Sequence, residues 1–202
     1  MIKKVLSVEN VTISFSTGFF LRKKQIVNNI SFSAFEGQRI ALVGSNGSGK
    51  TTLLKSIVGL IPAYSGTIIK DTHKIGYLPE RYSGPSFLSA YQFMYYMGKL
   101  CDISSQKLYT KIDNLFTLFN MTDYAGEKIG NLSKGTAQRL YIAQAMINDP
   151  LLLILDEPYS GLDTTSTDQL NYFLDQLSQH GTAIISSMHT VGTQTYDQVI
   201  AL

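Results

Sequence analysis

Cysteine is almost absent from this 202-residue chain, in which Cys101 is the only one. No internal disulfide and no cysteine metal cluster can therefore form within the chain. Because so little cysteine fits a reducing compartment, we expect a cytosolic protein.

Long apolar segments are also missing, since no run of 18 apolar residues occurs anywhere in the sequence. The first ten residues include two lysines, and Glu9 and Asn10 interrupt any apolar stretch that could serve as a signal peptide. We therefore expect a chain that does not cross a membrane itself, although it could bind to a protein that does.

The sequence lacks an excess of charge of one sign. Its 17 basic and 15 acidic residues are mixed along the chain and leave a net charge of +2. This balance favours neither a nucleic-acid-binding nor a membrane-surface protein, so we expect no nucleic-acid partner. Its apolar content of 44% is enough for a buried core.

Apolar patterning predicts two kinds of β-structure. Residues 5–15 and 26–35 alternate between apolar and polar side chains, which predicts an antiparallel hairpin. Three continuous apolar runs, Ile40–Val43, Leu151–Leu155 and Ala183–Ile185, are typical of parallel strands that are buried on both faces. These runs predict a central parallel sheet.

Helical patterning begins after residue 85. Ser89–Gln92 resembles a capping box, and Leu108, Ile112, Leu115, Phe116 and Phe119 fall on one helical face. A further amphipathic helix is predicted to start near Asp163 and to end at Gly181.

These patterns predict an α/β fold that forms one domain over residues 1–202. Residues 1–84 and 151–202 are expected to form the core with its N-terminal β hairpin. Residues 85–150 are expected to form an inserted helical subdomain.

A glycine-rich loop follows the apolar run that ends at Val43 and opens a helical pattern. The loop and the first residues of the helix are Gly44, Ser45, Asn46, Gly47, Ser48, Gly49, Lys50, Thr51 and Thr52. Glycine permits backbone conformations in which consecutive amides converge on the β- and γ-phosphates of a nucleotide at a helix N-terminus. Lys50 adds a positive charge, and Thr51 a hydroxyl for Mg²⁺. The arrangement predicts a nucleoside triphosphate site.

Two adjacent carboxylates, Asp156 and Glu157, follow the apolar run that ends at Leu155. The carboxyl ends of parallel strands are where α/β sheets bind ligands. Asp156 would hold Mg²⁺ through its water shell, and Glu157 could accept the proton of an attacking water. A plain turn that closes a core strand is the alternative, and the neighbouring phosphate loop makes it less favoured.

Several segments together carry a family resemblance. Asn131–Leu140 (NLSKGTAQRL), followed by Asp156–Pro158 and by Ser160–Asp163, resembles the signature motif, second acidic motif and D-loop of the ABC ATPases. These are the ATP-binding subunits of ABC transporters. His189 resembles the switch histidine, and Tyr77–Glu80 occupies the Q-loop position. The motifs appear in the order and spacing of the family over nearly the whole chain.

The resemblance implies a P-loop NTPase fold of the ABC type, with a mostly parallel sheet, an N-terminal antiparallel β subdomain and an inserted helical subdomain. It also implies ATP and Mg²⁺ as ligands, with Glu80, Thr51 and Asp156 near the metal. Ser133 and Gly135 would bind the γ-phosphate of ATP held by a second ATP-binding subunit. Two subunits would thus close head to tail around two ATP molecules.

Further roles follow from the same resemblance. Asp163 would link the two sites, and His189 would contact the γ-phosphate or the attacking water. Phe15 is the best positional match for an aromatic residue that stacks on adenine, and Phe19 and Phe20 lie close to it in sequence. Glu157, His189 and Lys50 would then be the catalytic residues of an ATPase.

Two departures from the family pattern affect the site. Lys134 and Thr136 stand where the commonest signature has glycine and glutamine, although its serine and second glycine remain. Glu80 stands where glutamine is usual, and its charge lies near the expected γ-phosphate. We therefore expect weak basal hydrolysis.

Residues 80–100 are rich in aromatic residues and methionine, which suits a groove that receives a helix. The resemblance implies a membrane permease as the partner there, and hence a protein held on the inner face of the cell membrane. Tyr77–Glu80 is similar to the corresponding segment of exporter subunits. We expect no additional C-terminal domain after residue 202.

Two other functions remain open. A soluble ABC ATPase that works without a permease is the main alternative. A nonhydrolytic binding module is less favoured, because every catalytic position is filled.

Overall fold

Two separate β-sheets organise the computed structural model, which describes residues 2–17, 22–192 and 194–202. In chain order its strands and α-helices are β1 (Lys4–Thr17), β2 (Arg22–Phe35), β3 (Arg39–Val43), α1 (Lys50–Val58), β4 (Ser65–Lys70), β5 (Ile75–Leu78), α2 (Ala90–Leu100), α3 (Ser105–Leu118), α4 (Lys134–Ala145), β6 (Leu152–Leu155), α5 (Thr164–Gln179), β7 (Ala183–Met188) and β8 (Gln198–Ala201).

The first sheet is antiparallel and has the strand order β2-β1-β4. Val8 of β1 pairs with Phe32 of β2 on one side and with Ile68 of β4 on the other. The predicted N-terminal hairpin is confirmed. The third strand, β4, was not predicted, because most of its side chains are exposed and show no apolar alternation.

The second sheet is parallel and has the order β5-β6-β7-β3-β8. Its three central strands are the predicted apolar runs, and nearly all of their side chains are buried, as expected for strands covered on both faces. The outermost strands, β5 and β8, were not predicted. Both are short, Gly76 interrupts the apolar residues of β5, and β8 is largely exposed.

Helix α1 is anchored in the main apolar cluster. Leu53, Leu54 and Ile57 are fully buried and join a cluster that includes side chains of β1, β3, β6 and β7. This burial fixes the helix against the sheets. The loop that precedes α1 is therefore held at a defined place.

The helices between residues 90 and 145 follow their sequence signals. At Ser89 both halves of the predicted capping box form, with the side chains of Ser89 and Gln92 each bonded to the other's backbone amide. The predicted apolar face of α3 is buried. Helix α5 also begins after Asp163 and ends before Gly181, as predicted. Within the described residues, no helix combines the length and hydropathy needed to cross a membrane.

The chain divides into two compact units. The first comprises Met1–Glu80, Leu151–Pro158 and Leu177–Leu202, and the second comprises Arg81–Pro150 and Tyr159–Gln176. The sequence patterns predict all of 151–202 in the core. Most of α5 clusters instead with the helical unit, because Phe173 packs against Phe119 there, with ring centroids 5.0 Å apart.

Candidate nucleotide site

The candidate site of the first unit lies at the carboxyl edge of the parallel sheet. In the register of this sheet Leu78 pairs with Leu155, Leu155 with Ser186, and Val43 with Met188. Because parallel strands end at one edge, the segments that follow them come together. These segments hold Glu80 after β5, Asp156 and Glu157 after β6, His189 after β7, and the loop 44–49 after β3.

The loop 44–49 requires glycine at its two ends. A β-carbon at residue 44 would lie 2.6 Å from the carbonyl oxygen of Leu202, and one at residue 49 would lie 2.8 Å from that of Ile26. Gly49 also has φ of 104° and caps α1 without a side-chain hydrogen bond. The first-turn amides of α1 thus have no side-chain acceptor at the cap and suit an anion.

Lys50 is buried, with 6% of its side chain exposed, and its ammonium group lies within this loop. Its Nζ donates hydrogen bonds to the carbonyl oxygens of Gly44 at 2.7 Å and of Ser45 at 3.2 Å. The same Nζ lies 3.2 Å from Oε1 of Glu157. The sequence-predicted cation and the sequence-predicted base are therefore in direct contact.

Glu157 adopts an unusual backbone conformation, with φ of 51°. This left-handed region is costly for a residue with a β-carbon, and such residues cluster at functional sites. Nε2 of His189 lies 3.8 Å from Oε1 of Glu157. The predicted switch histidine is thus brought to the predicted base, while half of its side chain stays exposed.

Asp156 is almost fully buried, and its two oxygens differ. Oδ1 accepts a hydrogen bond of 2.7 Å from the hydroxyl of Ser187. Oδ2 is buried and has no hydrogen-bond partner among the described residues. A buried, unpaired carboxylate oxygen is costly unless a ligand or water satisfies it, so Oδ2 is available to a cation or its water shell.

The signature segment lies in the second unit, at the start of α4. Ser133 caps this helix, and its Oγ accepts a hydrogen bond of 3.2 Å from the amide of Thr136. A β-carbon at Gly135 would lie 2.7 Å from Oγ of Ser166. A larger residue at position 135 would therefore have to displace the Ser166 side chain.

The two signature departures have local partners in the same unit. Oγ1 of Thr136 lies 2.8 Å from Oγ of Ser133 and accepts a hydrogen bond of 3.3 Å from Arg139. Nζ of Lys134 occupies the space that a β-carbon of Gly161 would need. Thr136 therefore supports the helix start, and Lys134 lies against the loop that leads to Asp163.

Asp163 caps α5. Its Oδ1 accepts a hydrogen bond of 2.7 Å from the amide of Ser166, and this bond holds the pKa of the Asp163 carboxyl below its usual value. Phe15, the predicted adenine contact, lies on β1 with 42% of its surface exposed. The alternatives Phe19 and Phe20 lie outside the described residues.

A sequence profile of the ABC transporter family matches residues 27–160, well over half of the chain. The chain belongs to the ABC transporter ATP-binding family. Its members hydrolyse ATP, so the chain is an ATPase, and the P-loop α/β fold predicted from the sequence is confirmed.

Comparisons with individual proteins and structures agree with this family membership. The chain is 35% identical over 206 residues to the uncharacterized ABC transporter ATP-binding protein YxlF of Bacillus subtilis, a match that covers 98% of this chain and 68% of that protein. It is 32% identical to the manganese transport system ATP-binding protein MntB of Halalkalibacterium halodurans, over 98% of this chain and 82% of MntB. The dimeric structure of MJ0796, a bacterial ABC transporter cassette, has a TM-score of 0.81 at 21% identity over 92% of this chain and 88% of that one.

The residues of this ABC ATPase fit a magnesium ion that is held partly by water and phosphate. The described residues contain no group of three or more His, Cys, Asp or Glu side chains able to hold a metal. Mg²⁺ at nucleotide sites commonly takes one or two protein oxygens and completes its shell with water and substrate. The unpaired Oδ2 of Asp156 and the hydroxyl of Thr51, in the first turn of α1, are suitable donors.

One residue of the site, Ser187, escaped sequence reasoning. Ser187 bridges Asp156 and Glu157, and the only sequence signal is its place near the end of β7, two residues before His189. Tyr77 lies on β5, where burial and the nearby charge of Asp156 raise its pKa to about 12. Tyr77 was expected only as part of the Q-loop segment Tyr77–Glu80, and nothing in the sequence pattern indicated this environment.

Proposed function

We propose that this chain is the ATP-hydrolysing subunit of an ABC transporter, which dimerises around two ATP·Mg²⁺ and drives a separate membrane permease. The observation that carries the proposal is the contact of Lys50 and His189 with Glu157 at the carboxyl edge of the sheet. A base, a cation and a polar donor at this edge are the groups that γ-phosphate hydrolysis uses.

The bound nucleotide would change the partners of Glu157. Phosphate oxygens compete for the ammonium of Lys50, which now lies against Glu157 and two loop carbonyls. Once the Lys50 ammonium binds a phosphate oxygen and leaves Glu157, the Glu157 carboxylate can accept a proton from the attacking water. Lys50 and the loop amides stabilise the negative charge that develops on the phosphoryl oxygens, and His189 donates to the γ-phosphate or holds the water.

Dimerisation is proposed because the signature residues lie in the second unit and resemble a γ-phosphate contact for an opposing subunit. Ser133 and Gly135 mark the N-terminus of a 12-residue helix whose dipole favours an anion. The MJ0796 cassette, which has a similar fold, forms a dimer. Asp163 would connect the two nucleotides across such a dimer.

The proposed permease surface is the exposed part of residues 80–100. Phe87 is 72% exposed and Tyr96 is 53% exposed, whereas Phe93 and Met94 are buried in the helical unit. The aromatic segment thus supplies both core and surface, and exposed aromatics are typical anchors for a partner helix. The proposal extends to membrane attachment through this surface. It also extends to export as the direction of transport, which the likeness of Tyr77–Glu80 to exporter subunits supports.

Glu157→Gln tests the catalytic part. We expect this variant to bind ATP and to form an ATP-dependent dimer, as seen by size-exclusion chromatography, but to release no phosphate over repeated turnovers. Glu127→Gln, an exposed carboxylate change in the helical unit, is the control. Full multiple turnover by Glu157→Gln would remove Glu157 as the base.

Affinity purification of the full chain from detergent-solubilised membranes tests the transport part. Recovery of a multispanning membrane protein that is lost on a Phe87→Ala and Tyr96→Ala double change supports the proposed permease surface. Robust ATPase activity together with a distribution confined to the cytosol would favour the alternative, a soluble ABC ATPase that works without a permease.

A further inference from the structure

Ser187 joins the backbone of Glu157 to the side chain of Asp156. The amide of Glu157 donates to Oγ of Ser187 at 2.9 Å, and the same hydroxyl donates to Oδ1 of Asp156 at 2.7 Å. Ser187 is completely buried, so water does not compete for these bonds. A hydroxyl has one proton to donate, and here that proton is committed to Asp156.

The bond to the amide restrains the strained residue of the site. Glu157 leaves β6 with φ of 51°, a conformation that persists only where neighbouring groups hold it. Among the described residues, its amide bonds to Oγ of Ser187, which lies on the adjacent strand β7. The side chain of Glu157 leaves from this restrained backbone and meets Lys50 and His189.

The bond to Oδ1 determines which oxygen of Asp156 is left over. With Oδ1 engaged by Ser187, only Oδ2 lacks a partner among the described residues. A single hydroxyl thus restrains two groups. It sets the rotation of the Asp156 carboxylate, which suits a metal ion, and it holds the backbone of Glu157, the proposed base. Loss of this hydroxyl would loosen both groups at once.

Strand β7 contains two buried serines, Ser186 and Ser187, in an otherwise apolar segment. Ser186, the preceding residue, is equally buried, and its hydroxyl has no hydrogen-bond partner within the described part of the chain. It lies on the opposite face of β7. Ser186 therefore provides a matched control of the same type, strand and burial.

We propose that Ser187 is a positioning residue for ATP hydrolysis, which holds Glu157 in its reactive placement and orients Asp156. The proposal rests on the proposed role of Glu157 as the base. It concerns the rate of the chemical step more than the affinity for ATP, because Lys50 of the proposed phosphate-binding loop is held by the carbonyls of Gly44 and Ser45 and by Glu157 rather than by Ser187.

Ser187→Ala, Ser187→Thr and Ser186→Ala test the proposal, with ATP as substrate. We expect Ser187→Ala to lower kcat by about tenfold or more while the Kd for ATP, measured by equilibrium binding, changes by less than about threefold. Ser186→Ala should keep the wild-type kcat, and Ser187→Thr, which retains the hydroxyl, should recover most of the activity. Thermal unfolding of each variant reports whether the fold is intact.

A purely structural role predicts a different result, namely a lower Tm for Ser187→Ala with an unchanged kcat per folded molecule, and that result overturns the proposal. An equal loss of kcat in Ser186→Ala does so as well. If Ser187→Ala does not fold, Ser187→Cys replaces it, because a thiol has similar shape and bonds weakly. A wild-type kcat in Ser187→Cys would then be the overturning result.

Comparison of the single variants Glu157→Gln and Ser187→Ala separates this inference from the proposed function. Full turnover by Glu157→Gln alone would refute the proposed base itself. An inactive Glu157→Gln beside a fully active Ser187→Ala would refute only the role of Ser187.

Discussion

Nζ of Lys50 lies 3.2 Å from Oε1 of Glu157, and both side chains are largely buried. The two groups differ in their remaining partners. Lys50 also donates to two loop carbonyls, whereas Glu157 has His189 nearby, with Nε2 at 3.8 Å from its Oε1. Removal of one partner from a buried ion pair leaves the charge of the other uncompensated. Because Lys50 and Glu157 differ in their remaining partners, removing one should cost a different amount of stability from removing the other.

Lys50→Met should therefore destabilise the nucleotide-free protein more than Glu157→Gln does. The first change leaves a carboxylate without its cation, and the second leaves an ammonium with two carbonyl acceptors. We expect a difference of about 1–3 kcal/mol in the free energy of unfolding, measured by urea denaturation. The double variant should lose less than the sum of the single changes, and strict additivity would show that the pair contributes nothing.

Glu80→Gln should raise basal ATP hydrolysis. Glu80 follows β5 at the same sheet edge as Asp156, and its negative charge opposes that of the γ-phosphate, whereas glutamine keeps an oxygen for the metal. The measurement is the steady-state rate of phosphate release by the subunit alone. Glu127→Gln removes an equal charge from the helical unit as the control, and equal or lower turnover in Glu80→Gln contradicts the expectation.

Asp163 should add stability that depends on pH. Its folded-state pKa is lowered by the hydrogen bond from the Ser166 amide, so its contribution is present above the unfolded pKa of about 4 and is lost as the pH falls through the folded value. Asp163→Asn keeps a capping oxygen without the charge. The Tm of the wild type should exceed that of Asp163→Asn at pH 7, and the gap should close in acid. A constant gap across this range would exclude the linkage.

Phe173→Ala should destabilise the helical unit by about 3–5 kcal/mol, because it removes a fully buried ring that packs on Phe119. Urea unfolding, followed by circular dichroism, measures the loss. Phe87→Ala is the matched control in the same unit, since its ring is 72% exposed, and it should change stability by less than about 0.5 kcal/mol. Similar losses in both variants would contradict the buried packing of Phe173 on Phe119.

The fold was predictable where burial leaves a strong pattern. The central strands β3, β6 and β7 are buried on both faces, so each appears as a continuous apolar run. Strands β4, β5 and β8 were missed because they are short or exposed, and they gain their structure from backbone pairing with neighbours. Such pairing depends on the adjacent strand rather than on local composition.

The sequence by itself determined most groups of the candidate site, with Ser187 as the exception, because the glycine loop, the acid pair and the signature serine each belong to one local segment. Only the tertiary structure decided their partners: Lys50 with Glu157, Ser187 with Asp156, and Phe173 with Phe119. These contacts join residues far apart in the chain. Strand order, register and helix packing create them, and apolar periodicity encodes only which face of each element is buried.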